Sequence, residues 1–126
     1  MKAIILAAIL VLLVVGIGVF FQNMLGKDSR EMMLALQDAA KQVQKEKWLE
    51  AEATLQEISR QWQGKRKKWH AVSDHTEIRI IDESMARLKA YISVQEKKDC
   101  LAEIAALQQT IRYIPDKEKL TLSNIF

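Results

Sequence analysis

Proline occurs once in this chain of 126 residues, cysteine once and glycine four times, and aromatic residues are few. A lone thiol, Cys100, has no partner for an intrachain disulfide, which excludes a stapled fold. With so little Gly and Pro the chain has few places for tight turns. Its wealth of Ala, Leu, Glu, Lys, Gln and Ile is the usage of long helices, so the class is all-α. Charge of one sign is also missing: 19 basic and 16 acidic residues are interleaved, whereas nucleic-acid binders concentrate positive charge, so nucleic acid is not an expected partner. No HExxH, no Cys/His ligand spacing and no paired-carboxylate arrangement stands out, and the sequence points to a non-enzymatic protein without a cofactor.

What the chain does have is a long apolar run. From Ala3 to Phe21 no residue is charged or strongly polar, and 14 of these 19 residues are Ile, Leu, Val or Phe. At the helical rise they span roughly 28 Å, close to the thickness of a bilayer's hydrocarbon core. Summed on a membrane-insertion scale, the 14 large apolar residues favour insertion by about 4 to 8 kcal/mol. A cleaved secretory signal followed by a secreted helical domain is the rival reading, since Lys2 supplies a short positive region. Against it stand the length of the run and the lack of an Ala-x-Ala site; the small pair Gly16 and Gly18 is followed directly by Val19, Phe20 and Phe21. The expected layout is a transmembrane anchor over residues 1–26 and a helical domain over 27–126. Lys2 on one side and Lys27 and Arg30 on the other nearly cancel as orientation signals. The short leading tail favours an anchor that sends the domain to the outer face of a bacterial cytoplasmic membrane.

Beyond the anchor the apolar residues become periodic. Met32, Met33, Leu36, Ala39, Ala40 and Val43 continue a helix out of the apolar run with no Gly or Pro after Gly26 to break it. Trp48, Leu55, Trp62 and Trp69 fall at intervals of seven, joined by Ala51, Ile58 and Val72 in one stripe, with Gly64 weakening the helix between them. A third helix begins at Asp74 and Glu77, a pair that resembles a capping box, and buries Ile78, Ile81, Met85, Leu88 and Ile92. Its far side carries Arg79, Glu83 and Arg87, with Glu83 set to pair with Arg87. A fourth helix starts near Asp99, buries Leu101, Ile104, Leu107, Ile111 and Ile114, and is expected to stop at Pro115. The tail residues Leu120, Leu122, Ile125 and Phe126 are expected to fold back on the bundle. An echo at a spacing of 52, from Leu36, Leu49, Ala53, Leu55 and Gln56 to Leu88, Leu101, Ala105, Leu107 and Gln108, suggests two antiparallel helical hairpins in tandem.

Candidate functional residues are few. Lys65, Arg66, Lys67 and Lys68 form the one concentrated basic run and are flanked by Trp62 and Trp69; together these six are the expected interaction surface, facing an anionic or envelope partner. The competing reading makes the run a solvated stretch and the tryptophans core. His70, Asp74, His75 and Glu77 offer the alternative of a small metal-binding or hydrolytic site. On a continuous helix, however, the two histidines would point about 140° apart. Cys100 beside Leu101 reads as a small buried residue, since Asp99 opposes the activating effect of Lys97 and Lys98.

The apolar N-terminus, the stretch Trp69-His70-Ala71-Val72-Ser73-Asp74-His75-Thr76-Glu77-Ile78, the following Arg87-Leu88 and the closing Asn124-Ile125-Phe126 resemble small bacterial membrane proteins known as domain of unknown function forty-three sixty-three. The resemblance covers nearly the whole chain. It implies a membrane-anchored helical architecture, a Gram-positive and often spore-forming source, and association with another small membrane protein. It implies no reaction. An acidic residue commonly follows the Glu-Ile pair in that family, and this chain has Arg79 there.

Overall fold

In the computed structural model the backbone is described for residues 1–125 and the side chains for all of these except Thr121, Leu122 and Ile125. Four helices follow one another: α1 (Lys2–Gln44), α2 (Trp48–Val72), α3 (His75–Ser93) and α4 (Lys97–Ile125). Each contributes one narrow apolar seam with steps of three, four or seven residues, the pattern by which a helix buries a single face against its neighbours. In α1 the seam runs Leu25, Met32, Leu36, Ala39 and Val43; in α2 Ala51, Leu55, Ile58, Trp62 and Trp69. In α3 it is Ile78, Ile81, Met85, Leu88 and Ile92, and in α4 Cys100, Ile104, Leu107, Ile111 and Ile114. The helices close a ring in which α1 meets α2 and α4, and α3 meets the same two. Short connections make successive helices antiparallel.

The apolar run and the first bundle helix are one continuous element, as the uninterrupted periodicity implied. The 26/27 boundary falls inside α1, whose first buried residue is Leu25. Ahead of it, residues 3–20 carry their apolar side chains exposed or nearly so, and no part of the most apolar window is buried by the rest of the chain.

The tandem-hairpin reading holds, but its register differs. The turn after α1 places Glu46 at φ 56° and the turn after α3 places Gln95 at φ 56°. In the first, the Glu46 and Lys47 amides donate to the Val43 and Gln42 carbonyls at 2.9 and 2.8 Å. In the second, the Gln95 and Glu96 amides donate to the Ile92 and Tyr91 carbonyls at 3.1 and 3.0 Å. This is the same left-handed helix cap twice, with a Glu or Gln where Gly is the usual occupant. Glu46 and Gln95 lie seven heptads apart, and at that spacing the buried residues correspond: Met32 with Ile81, Ala39 with Leu88, Val43 with Ile92, Ala51 with Cys100, Ile58 with Leu107. The echo at 52 instead aligns Leu49, which is 84% exposed, with the half-buried Leu101. Leucine and alanine are common enough to match by letter; the seam decides the true register.

Four further expectations are corrected. Pro115 lies inside α4 and does not end it. A proline there removes the amide that would bond the carbonyl of Ile111, and the structure supplies a substitute: the Ser29 hydroxyl of α1 donates to that carbonyl at 3.2 Å. One turn further on, the Gln22 amide donates to the Pro115 carbonyl at 3.2 Å. The tail therefore continues as helix with Leu120 exposed; the side chains of Leu122, Ile125 and Phe126 lie outside the described residues. The capping box is half formed, since the Asp74 carboxylate accepts from the Thr76 amide at 3.1 Å while Glu77 turns to Lys117 on α4, 2.6 Å away. Arg87 pairs with Glu103 of α4 at 2.8 Å, and Glu83 lies instead within 3.9 Å of Arg79.

Candidate functional site

Trp62 and Trp69 stand two turns apart on the inner face of α2, 1% and 0% exposed, with their rings edge to face at a centroid separation of 5.5 Å. A buried indole needs a partner for its N–H. Trp62 Nε1 donates to Asp82 Oδ1 of α3 at 2.8 Å and Trp69 Nε1 to Asp28 Oδ2 of α1 at 3.0 Å. Each carboxylate is balanced by a cation from the basic run. Arg66 grips Asp82 through Nε and Nη2 at 2.8 to 3.2 Å, and Lys65 lies 3.7 Å from Asp28 and 2.8 Å from Glu31.

The six residues expected to form a contact surface are thus divided. Trp62 and Trp69 are core, because their spacing of seven puts both on the seam. Lys65 and Arg66 are spent on intramolecular pairs, and only Lys67 and Lys68 of the run are exposed and outside any ion pair within 4.0 Å among the described residues. The acids that organise this arrangement, Asp28 and Asp82, went unrecognised in the sequence. Asp28 had a signal: it sits one helical turn before Met32 on the buried face, where an acid needs a donor.

Burial alone would raise the Asp82 carboxyl, but the Arg66 and Trp62 hydrogen bonds and the guanidinium charge outweigh it and hold it below its ordinary value of about 3.8. Glu31 is likewise lowered, by the Lys65 hydrogen bond and charge, while burial raises Glu118. For Asp82 and Glu31 the folded chain binds fewer protons than the unfolded one. Their contribution is then complete above the ordinary carboxylate range and lost as the pH falls through their lowered folded values. The unfolding midpoint is expected to be flat from about pH 6 to 8 and to drop below about pH 4, with a shallower drop in Asp82→Asn. An equally steep acid limb in that variant would show that Asp82 does not contribute.

Arg66 and Asp82 also close one end of a groove between α2 and α3, the neighbouring pair in sparsest contact. Its volume is about 580 Å³. Leu55 and Trp62 from one helix and Met85 and Ile92 from the other form its floor, while Ser59, Gln63, Ala86 and Lys89 line its sides. Two of the six sequence candidates, Trp62 and Arg66, belong to this groove.

The second candidate cluster does not converge. The chain breaks at Ser73, in extended conformation, so His70 and His75 are not on one helix and their rings meet, Nε2 to Nδ1, at 2.9 Å. Asp74 is occupied at the α3 N-terminus and Glu77 with Lys117. Among the described residues no three of His, Cys, Asp or Glu gather as a metal site would require. Cys100 is buried, and burial together with Asp99 and Glu96 raises its thiol above the ordinary value, which disfavours the nucleophilic thiolate.

The family described as domain of unknown function (DUF4363) matches residues 19–125. The chain belongs to it. The match begins inside the apolar run and takes in the whole bundle, including both tryptophan–aspartate pairs and the groove of this DUF4363 member. No curated protein and no solved structure matches the chain.

Proposed function

We propose that this DUF4363 protein is a single-pass, membrane-anchored interaction module without catalytic activity, its bundle held at the outer face of a bacterial cytoplasmic membrane. One observation carries the reading: an uncharged apolar segment long enough to cross a bilayer is left uncovered by the bundle, yet shares one unbroken helix with it. A soluble protein does not keep so large a contiguous apolar surface in water. The unbroken helix also fixes how far the bundle stands from the bilayer, which suits a protein that meets its partner at a set height.

The contact face is the α2–α3 groove, and its occupant is an apolar-faced helix of another membrane or envelope protein. Leu55 and Trp62 on one side and Met85 and Ile92 on the other repeat at intervals of seven along two neighbouring helices. Such a double row accepts the anchors of a third helix at steps of three, four and seven. The Arg66–Asp82 pair at one end offers charge on the rim. Ala86 is exposed on the groove wall, so Ala86→Trp fills the space without entering the core. This variant is expected to keep its melting temperature and to lose at least tenfold in recovery of any protein cross-linked to the wild-type chain in membranes. Undiminished recovery would remove the groove from the reading.

A further inference from the structure

The end of the bundle facing the apolar segment differs from the other end in charge. The Gln22–Pro115 and Trp69–Asp28 hydrogen bonds set the last turn of α2 and the Pro115 region of α4 beside the first turns of α1 beyond Phe21. Exposed there are Lys27, Arg30, Lys67, Lys68 and Arg112. The acids of this end are largely occupied: Asp28 and Glu31 with Lys65, Glu77 with Lys117, Asp74 with the Thr76 amide. Asp116, exposed, and Glu118, half-buried, are the carboxylates left among them. At the opposite end the exposed Lys45, Glu46, Lys47, Glu96, Lys98 and Asp99 are balanced in sign.

Two of the cations line one groove. Between α1 and α4, a space of about 420 Å³ is bordered by Gly26, Ser29, Arg30, Arg112, Pro115 and Asp116. Arg30 folds back along α1, so that a Cβ on Gly26 would meet its Nη1 at 3.4 Å. Arg30 itself stands roughly 13 Å beyond Phe21 along the helix, but Gly26 only about 8 Å beyond it. The polar zone of one leaflet is about 5 to 8 Å deep, so the guanidinium lies at its edge.

We infer that this end of the bundle is a docking surface for anionic phospholipid headgroups. Arg30 and Arg112 take lipid phosphate in the α1–α4 groove, and Lys27, Lys67 and Lys68 extend the contact around α1 and α2. The inference rests on the membrane-anchor reading and adds to it that the bundle is seated on the bilayer surface rather than suspended above it. The basic run then has a role for the two lysines left over from the core ion pairs.

The test uses the full chain reconstituted in vesicles of phosphatidylcholine alone or mixed with phosphatidylglycerol, with amine acylation followed at each lysine by mass spectrometry. Labelling of Lys27, Lys67 and Lys68 is expected to slow by about fivefold in the anionic vesicles, with Lys45 and Lys98 unchanged. Molar salt is expected to abolish the difference. Arg30→Gln/Arg112→Gln, with its helicity checked by circular dichroism, is expected to lose protection at Lys27. Equal labelling in both vesicle types, with the protein floating alongside the lipid in each, overturns the seat and leaves the anchor standing. A chain that does not float with lipid overturns both. Protection by soluble polyglutamate with none from phosphatidylglycerol assigns the surface to an acidic polypeptide and overturns the lipid.

Discussion

Trp69→Ala is expected to cost the bundle about 3 to 5 kcal/mol from lost burial and the cavity it leaves. A further cost comes from the Asp28 carboxylate, only 6% exposed, which loses the indole donor 3.0 Å away and keeps only Lys65 at 3.7 Å. Since small domains are stable by only about 5 to 15 kcal/mol in total, the variant should lose most or all of its cooperative unfolding transition. Trp69→Phe separates the two contributions, because it keeps much of the ring's packing against Trp62 while removing the donor. It should lie between wild type and alanine, and adding Asp28→Asn should recover part of its loss. Lys68→Ala, one position away and exposed, should change stability by no more than about 0.5 kcal/mol. A Trp69→Ala protein that unfolds with the wild-type midpoint in urea would contradict the core described for α2.

Why Trp69 could be placed on a seam, with core as one of two readings, while its polar partner stayed unidentified follows from what a sequence displays. Periodicity reports which residues share a helical face, and the four seams were legible in Met32 to Val43, Ala51 to Trp69, Ile78 to Ile92 and Ile104 to Ile114. It does not report which polar group on another helix will satisfy a buried indole. Asp28 and Asp82 lie 41 and 20 residues from their tryptophans, and nothing local marks them as partners. The ion-pair partners of Lys65 and Arg66 in the basic run were hidden for the same reason. Its neighbours in sequence are tryptophans, but its neighbours in space are the acids of α1 and α3.

Pro115 shows a different limit. Its local effect, the loss of one amide and a clash with the preceding turn, is a fair reason to end a helix. The helix persists because Ser29, 82 residues away in sequence, occupies the carbonyl that the proline leaves free. The His70–His75 contact is the converse case, where a break at Ser73 brings together two rings that an unbroken helix would hold apart. The groove was invisible because it arises from α2 and α3 standing apart, a property of the whole ring of helices and of no single stripe. Even the repeat needed the structure: its two turns are alike in backbone and hydrogen bonding while their residues, Lys45-Glu46-Lys47 and Val94-Gln95-Glu96, are not.

The proposed anchor leads to the second large expected effect. Leu10 and Val14 sit near the middle of the apolar segment, 62% and 53% exposed, and no bundle residue depends on them. Replacing both by arginine removes two favourable contributions and adds about 2.5 to 3.5 kcal/mol for each charge at a helix centre, a total change of roughly 6 to 8 kcal/mol. That is comparable with the roughly 4 to 8 kcal/mol by which the native segment favours insertion. The Leu10→Arg/Val14→Arg chain should therefore pass from the carbonate-resistant membrane pellet to the supernatant. Its bundle, whose core begins at Leu25, should melt with the wild-type midpoint in detergent-free buffer. The two measurements together separate the alternatives. A wild-type chain already in the supernatant, with a mature N-terminus downstream of Phe21, would mean that the segment is a leader removed after export. A wild-type chain in the pellet whose double-arginine variant stays there would mean that the bundle itself holds the protein to the membrane, and the apolar helix would lose its role as the anchor.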